Sequence, residues 1–578
     1  MKRLLFIVFA VMMVVAPLST VNAINLDQDS PHILAEVMPE GVDFFAGTRI
    51  GEDFIAELDA ISLALYDKLP PMLGVESYEL GAVLRQTFAE EGLDYDAIAA
   101  AYGDYAAIGL EINGSMNDDP NVYFVMDIDD QQAAESEFIG MLPNPEQLPE
   151  PVKDGDNVIY SDPEDNIMAI FTPTHFILTN VLDYGVPVDA PLSANADFTG
   201  ALGMLPADVY NIVGYVSVNF VQTVIAESDS SGDMSMLGVD PADAGYASFG
   251  ATIQSGDTFT LDFAYLSIAS APSSTVNVDV LNALPAGTDA FIMGADLTSV
   301  YNNSIEAIQT ATAASGEDDP TAQIPMMFGM TGLNLEEDVL SWTTGTYGIF
   351  FGTDYPALLN DVSENGTLTD INLDFGIVIE ATDPELAQNA ADNLGEFMMA
   401  MGGNEEGVTI TSEDGLTSIM LELPIDPMSA PMMLEIVLTA TDDFLFLGTR
   451  QSYDAVVNGE TLAGVEDFTQ STQYYLGDAT SVWYANADGF LSTTVVPLAL
   501  LGPAIGNIFD NIVAELNGSD PGEPADTNPL NMITSGGDMS PVIEILEAFD
   551  SMFAHSTISS SIDDAGVIRF RATMTVNP

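Results

Sequence analysis

A turn written Pro39-x-Gly41-x-Asp43-x-Phe45 returns as Pro285-x-Gly287-x-Asp289-x-Phe291, and the same order of landmarks follows it twice along the 578 residues. A doubled order constrains the fold more tightly than composition does, because each copy must supply comparable strands and helices. It describes a scaffold and leaves the reaction, if any, unstated.

Each turn leads into a short strand, Phe44 to Thr48 or Ala290 to Met293, and then into a helix beginning near Glu52 or Leu297. Gly92-Leu93-Asp94 and Gly332-Leu333-Asn334 open short acidic helices that end at Tyr102-Gly103 and at Trp342 to Gly345. Gly103-x-Tyr105 and Gly345-x-Tyr347 then introduce strands at 106–112 and 348–352, followed by strands at 123–128 and 376–379. Asp130 and Asp383 stand as N-caps of the next helix, with Pro384 at its first position. Leu386, Ala390, Leu394, Phe397 and Met401 recur at helical spacing, so that helix should lie on a sheet. Meanders follow, at 157–160, 167–171 and 176–179 in one copy and at 408–411, 417–423, 434–438 and 444–447 in the other. Asp197-Phe198-Thr199 and Asp467-Phe468-Thr469 lead on to strands at 210–218 and 481–485.

Both copies close on an alternating strand. Phe259, Leu261 and Phe263 interleave with Thr260 and Asp262, and Ile568, Phe570 and Ala572 interleave with Arg569 and Arg571. One apolar and one wet face is the pattern of antiparallel sheet. The expected fold class is α+β, two tandem diverged repeats, each an antiparallel sheet flanked by helices. The first repeat is placed at 24–268, a Ser/Ala/Pro-rich linker at 269–280 and the second repeat at 281–578. Between its last strands the second copy carries roughly 40 residues more than the first, read as a helical-hairpin insertion at about 490–554. Its stretch 490–509 holds no charge, and Val542, Ile545, Leu546, Phe549, Met552 and Phe553 fall on one helical face. Phe490, Leu498, Leu501, Phe549 and Phe553 are therefore the candidate contacts for an apolar ligand, beside the plainer reading of a layer covering the sheet.

Lys2 and Arg3 precede an apolar run from Leu4 to Leu18, and Val21-Asn22-Ala23 supplies small residues for cleavage. Residues 1–23 are expected to be a signal peptide, so the chain is exported, or anchored at its N-terminus if the leader is retained. With no cysteine, neither a lipidated cysteine nor a disulfide framework is available. Nine Lys and Arg face 89 Asp and Glu, for a net charge of −80; beyond residue 23 only seven basic residues remain. The imbalance comes from a shortage of cations. Scattered as Arg49, Lys68, Arg85, Lys153, Arg450, Arg569 and Arg571, they cannot form the basic patch that nucleic acid requires. Anionic membrane surfaces are excluded by the same repulsion. The partners left are apolar small molecules, neutral glycans and cationic surfaces.

Motifs with catalytic mechanics are absent: there is no Gly-x-Ser-x-Gly elbow, no phosphate loop ending in Lys and no His-Glu-x-x-His helix. The three histidines, His32, His175 and His555, are read as exposed turn or surface residues. Calcium is the one cofactor the composition leaves open, because clustered carboxylates short of cationic partners repel one another. Its candidate ligands are Asp127, Asp129, Asp154, Asp156, Asp162 and Asp165, although none lies in a complete twelve-residue loop. Solvated loops and a helix cap are the plainer account of these residues.

The order of landmarks resembles that of an uncharacterised family of bacterial secreted or membrane-anchored proteins, catalogued as a domain of unknown function. The resemblance rests on the Leu284-Pro285 turn with Met38-Pro39 and Leu205-Pro206, on Gly92 and Gly332, and on Trp342 before Gly345. It rests also on the Asp130 and Asp383 helix starts and on the approaches 192–198 and 462–468. The chain departs from the family at Tyr102, where Trp is usual, and at Leu476-Gly477, where the other copy has Leu205-Pro206. The resemblance implies no catalytic or ligand residues. The leading functional reading is a secreted, non-catalytic envelope or extracellular binding protein for an apolar or neutral ligand. A calcium-stabilised adhesion or structural protein is the alternative, and a carboxylate-dependent hydrolase the third.

Overall fold

The structure, a computed structural model, describes residues 30–66, 79–90, 95–114, 119–142, 148–164, 166–206, 209–227, 245–254, 257–266, 274–315, 321, 324–353, 373–402, 408–413, 415–423, 432–486, 553–563 and 565–577. The expected leader at 1–23 and nearly all of the expected insertion at 490–554 lie outside the described residues. The strands pair antiparallel, with helices between them. The chain divides into two compact units. The first runs to Ala271 and also takes in Ser561–Pro578, and the second contains Pro272–Ser560. Compact units and sequence halves therefore differ at the C-terminus. Within the stretch read as a linker, Val276 donates its N–H to the Ala479 carbonyl and Asn277 its N–H to Thr346 Oγ1, so these residues belong to the second unit.

The first unit contains β1 (Phe44–Arg49), β2 (Tyr102–Glu111), β3 (Asn121–Ile128), β4 (Val152–Asp154), β5 (Asn157–Asp162), β6 (Ile167–Phe171), β7 (His175–Thr179), β8 (Ile212–Val216), β9 (Ala247–Gln254) and β10 (Thr258–Leu266). Its helices are α1 (Glu52–Tyr66), α2 (Leu80–Glu90), α3 (Tyr95–Ala101), α4 (Gln131–Met141), α5 (Ala196–Met204) and α6 (Val218–Glu227). The strands pair in the order β4-β5-β6-β7-β3-β2-β1-β8-β9-β10. The second unit contains β11 (Ala290–Ala295), β12 (Thr346–Thr353), β13 (Leu373–Glu380), β14 (Val408–Glu413), β15 (Leu416–Leu423), β16 (Met432–Ala440), β17 (Phe444–Thr449), β18 (Ser481–Asn486) and β19 (Phe553–Ile562). Its helices are α7 (Val278–Asn282), α8 (Leu297–Ser315), α9 (Ile324–Met330), α10 (Pro384–Gly402), α11 (Arg450–Asn458) and α12 (Glu466–Ser471). Here the order is β14-β15-β16-β17-β13-β12-β11-β18-β19. Position for position it repeats the first nine strands of the first unit. β20 (Val567–Val576) pairs along β10 over nine residues and extends the first unit.

The recurring sequence landmarks have recurring physical duties. Phe45 meets Phe198 edge to face at 5.4 Å, and Phe198 meets Tyr215 at 5.3 Å. In the second unit Phe291 meets Phe468 at 5.9 Å, and Phe468 meets Tyr484 at 5.4 Å. These rings are fully buried and anchor the main core of each unit. Asp43 and Asp289 precede the central strands and tie them to both neighbours. Asp43 donates its N–H to the Leu110 carbonyl and accepts from Ser217 N–H, while Asp289 donates to Phe351 and accepts from Asn486. The expected caps are present: Asp130 accepts from the Gln132 and Ala133 N–H groups, and Asp383 from Glu385 and Leu386. Ala387, Ala390 and Ala391 form the buried face of α10, with Leu386, Leu394 and Met398 packed at its margin.

One expectation reverses. The Thr260/Asp262 face of β10, expected to be wet, is buried, and Leu261, Phe263 and Phe570 on the other face are exposed. The cause is a polar match across the β10/β20 pair. Asp262, with no exposed surface, stands opposite Arg571 and accepts both Nε and Nη2 at 2.8 Å, and Tyr210 OH adds a third bond at 2.7 Å. Two positions along, Arg569 donates to the Met204 carbonyl at the end of α5 and to Asp563. Thr260 and Thr573 pair beside them at 3.1 Å. The two arginines sit on one face by the period of two and bury through complementary partners.

Because truncating one member of a buried ion pair strands the other charge, Arg571→Met is expected to destabilise the first unit by about 3–5 kcal/mol. Asp262→Leu combined with Arg571→Met should recover most of that loss. Urea unfolding of the single and double variants checks both expectations.

Candidate functional site

The described carboxylates singled out for calcium lie at separate places: Asp127 and Asp129 at the end of β3, Asp154 and Asp156 at the turn before β5, and Asp162 at the end of β5. Asp127 sits where the β2/β3 register slips between Tyr102 and Ala106, and its oxygens accept the Tyr105 N–H at 2.7 Å and the Asp104 N–H at 3.1 Å. Burial raises its pKa from the ordinary carboxylate value, and those two backbone bonds oppose the shift. Gly103 is required here, because a Cβ on it would fall 2.3 Å from Asp127 Oδ2. Glu380 does the same work in the second unit: it accepts the Thr346 N–H at 2.7 Å, and a Cβ on Gly345 would meet its Oε2 at 2.7 Å. The Gly-x-Tyr landmarks thus mark carboxylates seated against bare backbone. Asp129 is exposed, and Asp154 and Asp156 flank the exposed turn at Gly155. Asp162 ends β5 and accepts the Glu164 N–H, while Asp165 lies outside the described residues. Since β5 separates Asp156 from Asp162 by about 17–20 Å at strand rise, the two cannot share an ion. Among the described residues, no three His, Cys, Asp or Glu side chains come together as a metal site.

Two further carboxylates stand at strand ends: Asp43 just before β1, and Glu111 at the end of β2 beside Gly41. Asp43 accepts Ile112 N–H at 2.9 Å, Ser217 Oγ at 2.8 Å and Asn219 Nδ2 at 3.1 Å. Glu111 accepts Asn121 Nδ2 at 2.8 Å and Tyr123 OH at 3.0 Å. Neutral donors fill these oxygens, which suits strand tying better than proton transfer. The histidines differ from their expected exposure. His555 is buried, at 1% exposure on the inner face of β19, and His32 and His175 are partly buried. Burial lowers the pKa of both His175 and His555, with Glu36 and Asp467 respectively pulling the other way.

Of the apolar ligand candidates, Phe490, Leu498, Leu501 and Phe549 lie outside the described residues. Phe553 opens β19 half-buried and, by strand alternation, shares the face of His555. The more informative apolar surface lies on the opposite face of the second unit. Direct cross-strand partners share a face, so Ile377, Ile349, Ile292, Trp483 and Ile558 form a row across β13, β12, β11, β18 and β19. Phe375, Phe351, Ala290, Ala485 and Ser556 lie on one side of it, and Ile379, Tyr347, Gly294, Ser481 and Ser560 on the other. None of the fifteen carries a charge. Ile292 is 51% exposed and Ile558 42%, with Ile377 and Phe351 also exposed, whereas Ala290 and Ala485 on the same face have no exposed surface and Ile379 packs on the core under α10. The central row spans about 19 Å across its five strands, an apolar stripe with exposed isoleucines along it.

The first unit has a smaller counterpart on β9, β10 and β20. Leu261, Phe263 and Tyr265 stand opposite Ala572, Phe570 and Ile568 on one side and Ala251, Phe249 and Ala247 on the other. Phe263 and Tyr265 lie 5.8 Å apart, and Tyr265 and Phe570 are nearly parallel at 6.4 Å. Sequence reasoning missed both faces, although β11 carried a signal: its six residues, Ala-Phe-Ile-Met-Gly-Ala, do not alternate. In a one-sided antiparallel sheet, position 292 should be polar.

No protein-family model, curated protein or solved structure matches the chain.

The buried histidines make stability dependent on pH. A base whose folded pKa lies below its unfolded value contributes fully above the unfolded value, about 6.5, and loses that contribution as pH falls through the folded one. Melting temperature is therefore expected to drop below pH 6.5. Each histidine adds a slope of at most about 1.4 kcal/mol per pH unit, and His555→Gln should flatten the profile. An unchanged pH profile in that variant would contradict the assignment.

Proposed function

We propose that this chain is a non-catalytic binding protein of the cell envelope or extracellular space, holding apolar or uncharged ligands on the charge-free faces of its sheet. The observation that carries the reading is the uncharged row through Ile377, Ile292 and Ile558, exposed with Phe351 beside it, in a chain with a net charge of −80. Exposing Ile, Trp and Phe to water costs about 25 cal/mol per Å² of apolar area, so covering such a face stabilises any complex that does so. The leader-like residues 1–23 support export. The identical pairing order of nine strands and the matched Phe45/Phe198/Tyr215 and Phe291/Phe468/Tyr484 clusters support an origin by duplication of one α+β unit. The order of landmarks supports kinship with the secreted family that it resembles.

Binding of the neutral fluorescent amine N-phenyl-1-naphthylamine tests the reading. Native protein should enhance its emission saturably, and Ile292→Asp should weaken binding by about ten-fold or more, since it places a carboxylate in the apolar contact. Val457→Asp, at an exposed valine on α11, should leave it unchanged. A native protein that leaves the emission flat, or an Ile292→Asp variant that binds as tightly as the native chain, would overturn the proposal.

A further inference from the structure

The ligand class can be narrowed further on the first unit, in an inference that rests on the binding reading above. The outer face of β10 and β20 presents Leu261, Phe263, Tyr265 and Phe570, and the exposure of Leu261, Phe263 and Phe570 is 44%, 38% and 39%, while Phe259 and Ile568 at its two ends are buried. Among the described residues of this face none is cationic. Arg569 and Arg571, the only basic residues on these two strands, alternate to the opposite face, where Asp563 and Asp262 neutralise them. The surface around the rings belongs to a chain with seven basic residues beyond the leader against 89 acidic ones. Aromatic rings carry negative potential on their faces, and a cation over such a face gains about 0.5–1 kcal/mol when exposed and more when desolvated. Ring quadrupoles and net charge therefore favour the same ligand, and both disfavour an anion.

We infer that the Phe263/Tyr265/Phe570 face binds apolar organic cations, molecules that combine hydrocarbon bulk with a delocalised or quaternary positive charge. Hydrocarbon contact with Leu261 and the rings supplies affinity, and charge supplies selectivity over neutral and anionic molecules of equal size. The selectivity must weaken with salt, because the Debye length shrinks from about 30 Å at 0.01 M to about 8 Å at physiological ionic strength. A recognition site for a neutral molecule would have no such dependence.

Tetraphenylphosphonium and tetraphenylborate have nearly the same shape and opposite charge, so equilibrium dialysis of the full chain against each separates apolar contact from charge. The expected result is that the phosphonium binds about ten-fold or more tighter than the borate in 10 mM salt, and that the ratio shrinks severalfold at 150 mM. Phe263→Ser and Phe570→Ser, made singly so that one folding failure does not decide the matter, should each weaken phosphonium binding by about five-fold or more. Val152→Ser, at an exposed site on β4, should not. Equal affinity for the two ions, or a preference for the borate, sinks the cation inference while leaving the apolar reading intact. Phosphonium binding that neither Phe variant alters places the site elsewhere and also overturns it. If neither ion binds, and the naphthylamine fails as well, the binding reading falls with it.

Discussion

Carboxylates that accept hydrogen bonds from uncharged donors hold this fold together. A chain with so few cations cannot neutralise its buried acids by pairing, and a buried carboxylate without partners is expensive. The recurring solution is to aim the carboxylate at backbone N–H groups or at short polar side chains. Asp127 and Glu380 fill the approach to β2 and β12, Asp43 binds Ser217, Asn219 and Ile112, and Asp374 accepts from Ser452 at 2.7 Å. Burial raises the pKa of Asp374, and its bonds from Ser452 and Gln451 restrain that rise. Asp296 caps α8 by accepting both the N–H and the hydroxyl of Ser299. The exception is instructive: where Asp262 is fully enclosed, the chain commits one of its few arginines to it.

Much of this was legible in the sequence, and the reason is steric. A glycine facing a carboxylate cannot accept a Cβ, so Gly41, Gly103, Gly287 and Gly345 persist at matched places and mark strand starts. Helix caps and the Phe198 and Phe468 anchors are read equally well, since they depend on local bonding and on one large ring. Exposure of whole faces was less legible. The alternation on β10 and β20 gives the two faces correctly but not their polarity, because burial of Asp262 and Arg571 depends on each standing opposite the other across 309 residues of sequence. The clustered aspartates are likewise placed by the strands between them, Asp154 and Asp156 at the turn before β5 and Asp162 at its end.

The candidate faces emerge from the same pairing rules. Registers fix which residues stand side by side, and a row of five strands brings Ile377, Ile292 and Ile558 together although they come from distant segments. No stretch of the chain announces that assembly. Its trace is the failure of β11 to alternate, which a residue-by-residue reading takes for an ordinary buried strand.

An uncharged face of this extent is a liability in a protein with balanced charge, because it invites copies of the chain to associate. Here the remaining surface opposes that. Two molecules each carrying about −80 repel as they approach, while a neutral or cationic ligand meets no such barrier. Net charge and bare apolar face are then complementary parts of one design: the first keeps like molecules apart, and the second remains free for unlike ones. Salt couples them, since screening weakens the repulsion between copies and leaves apolar contact intact or strengthened. On the proposed reading, the scarcity of lysine and arginine therefore bears on which ligands the exposed isoleucines can meet.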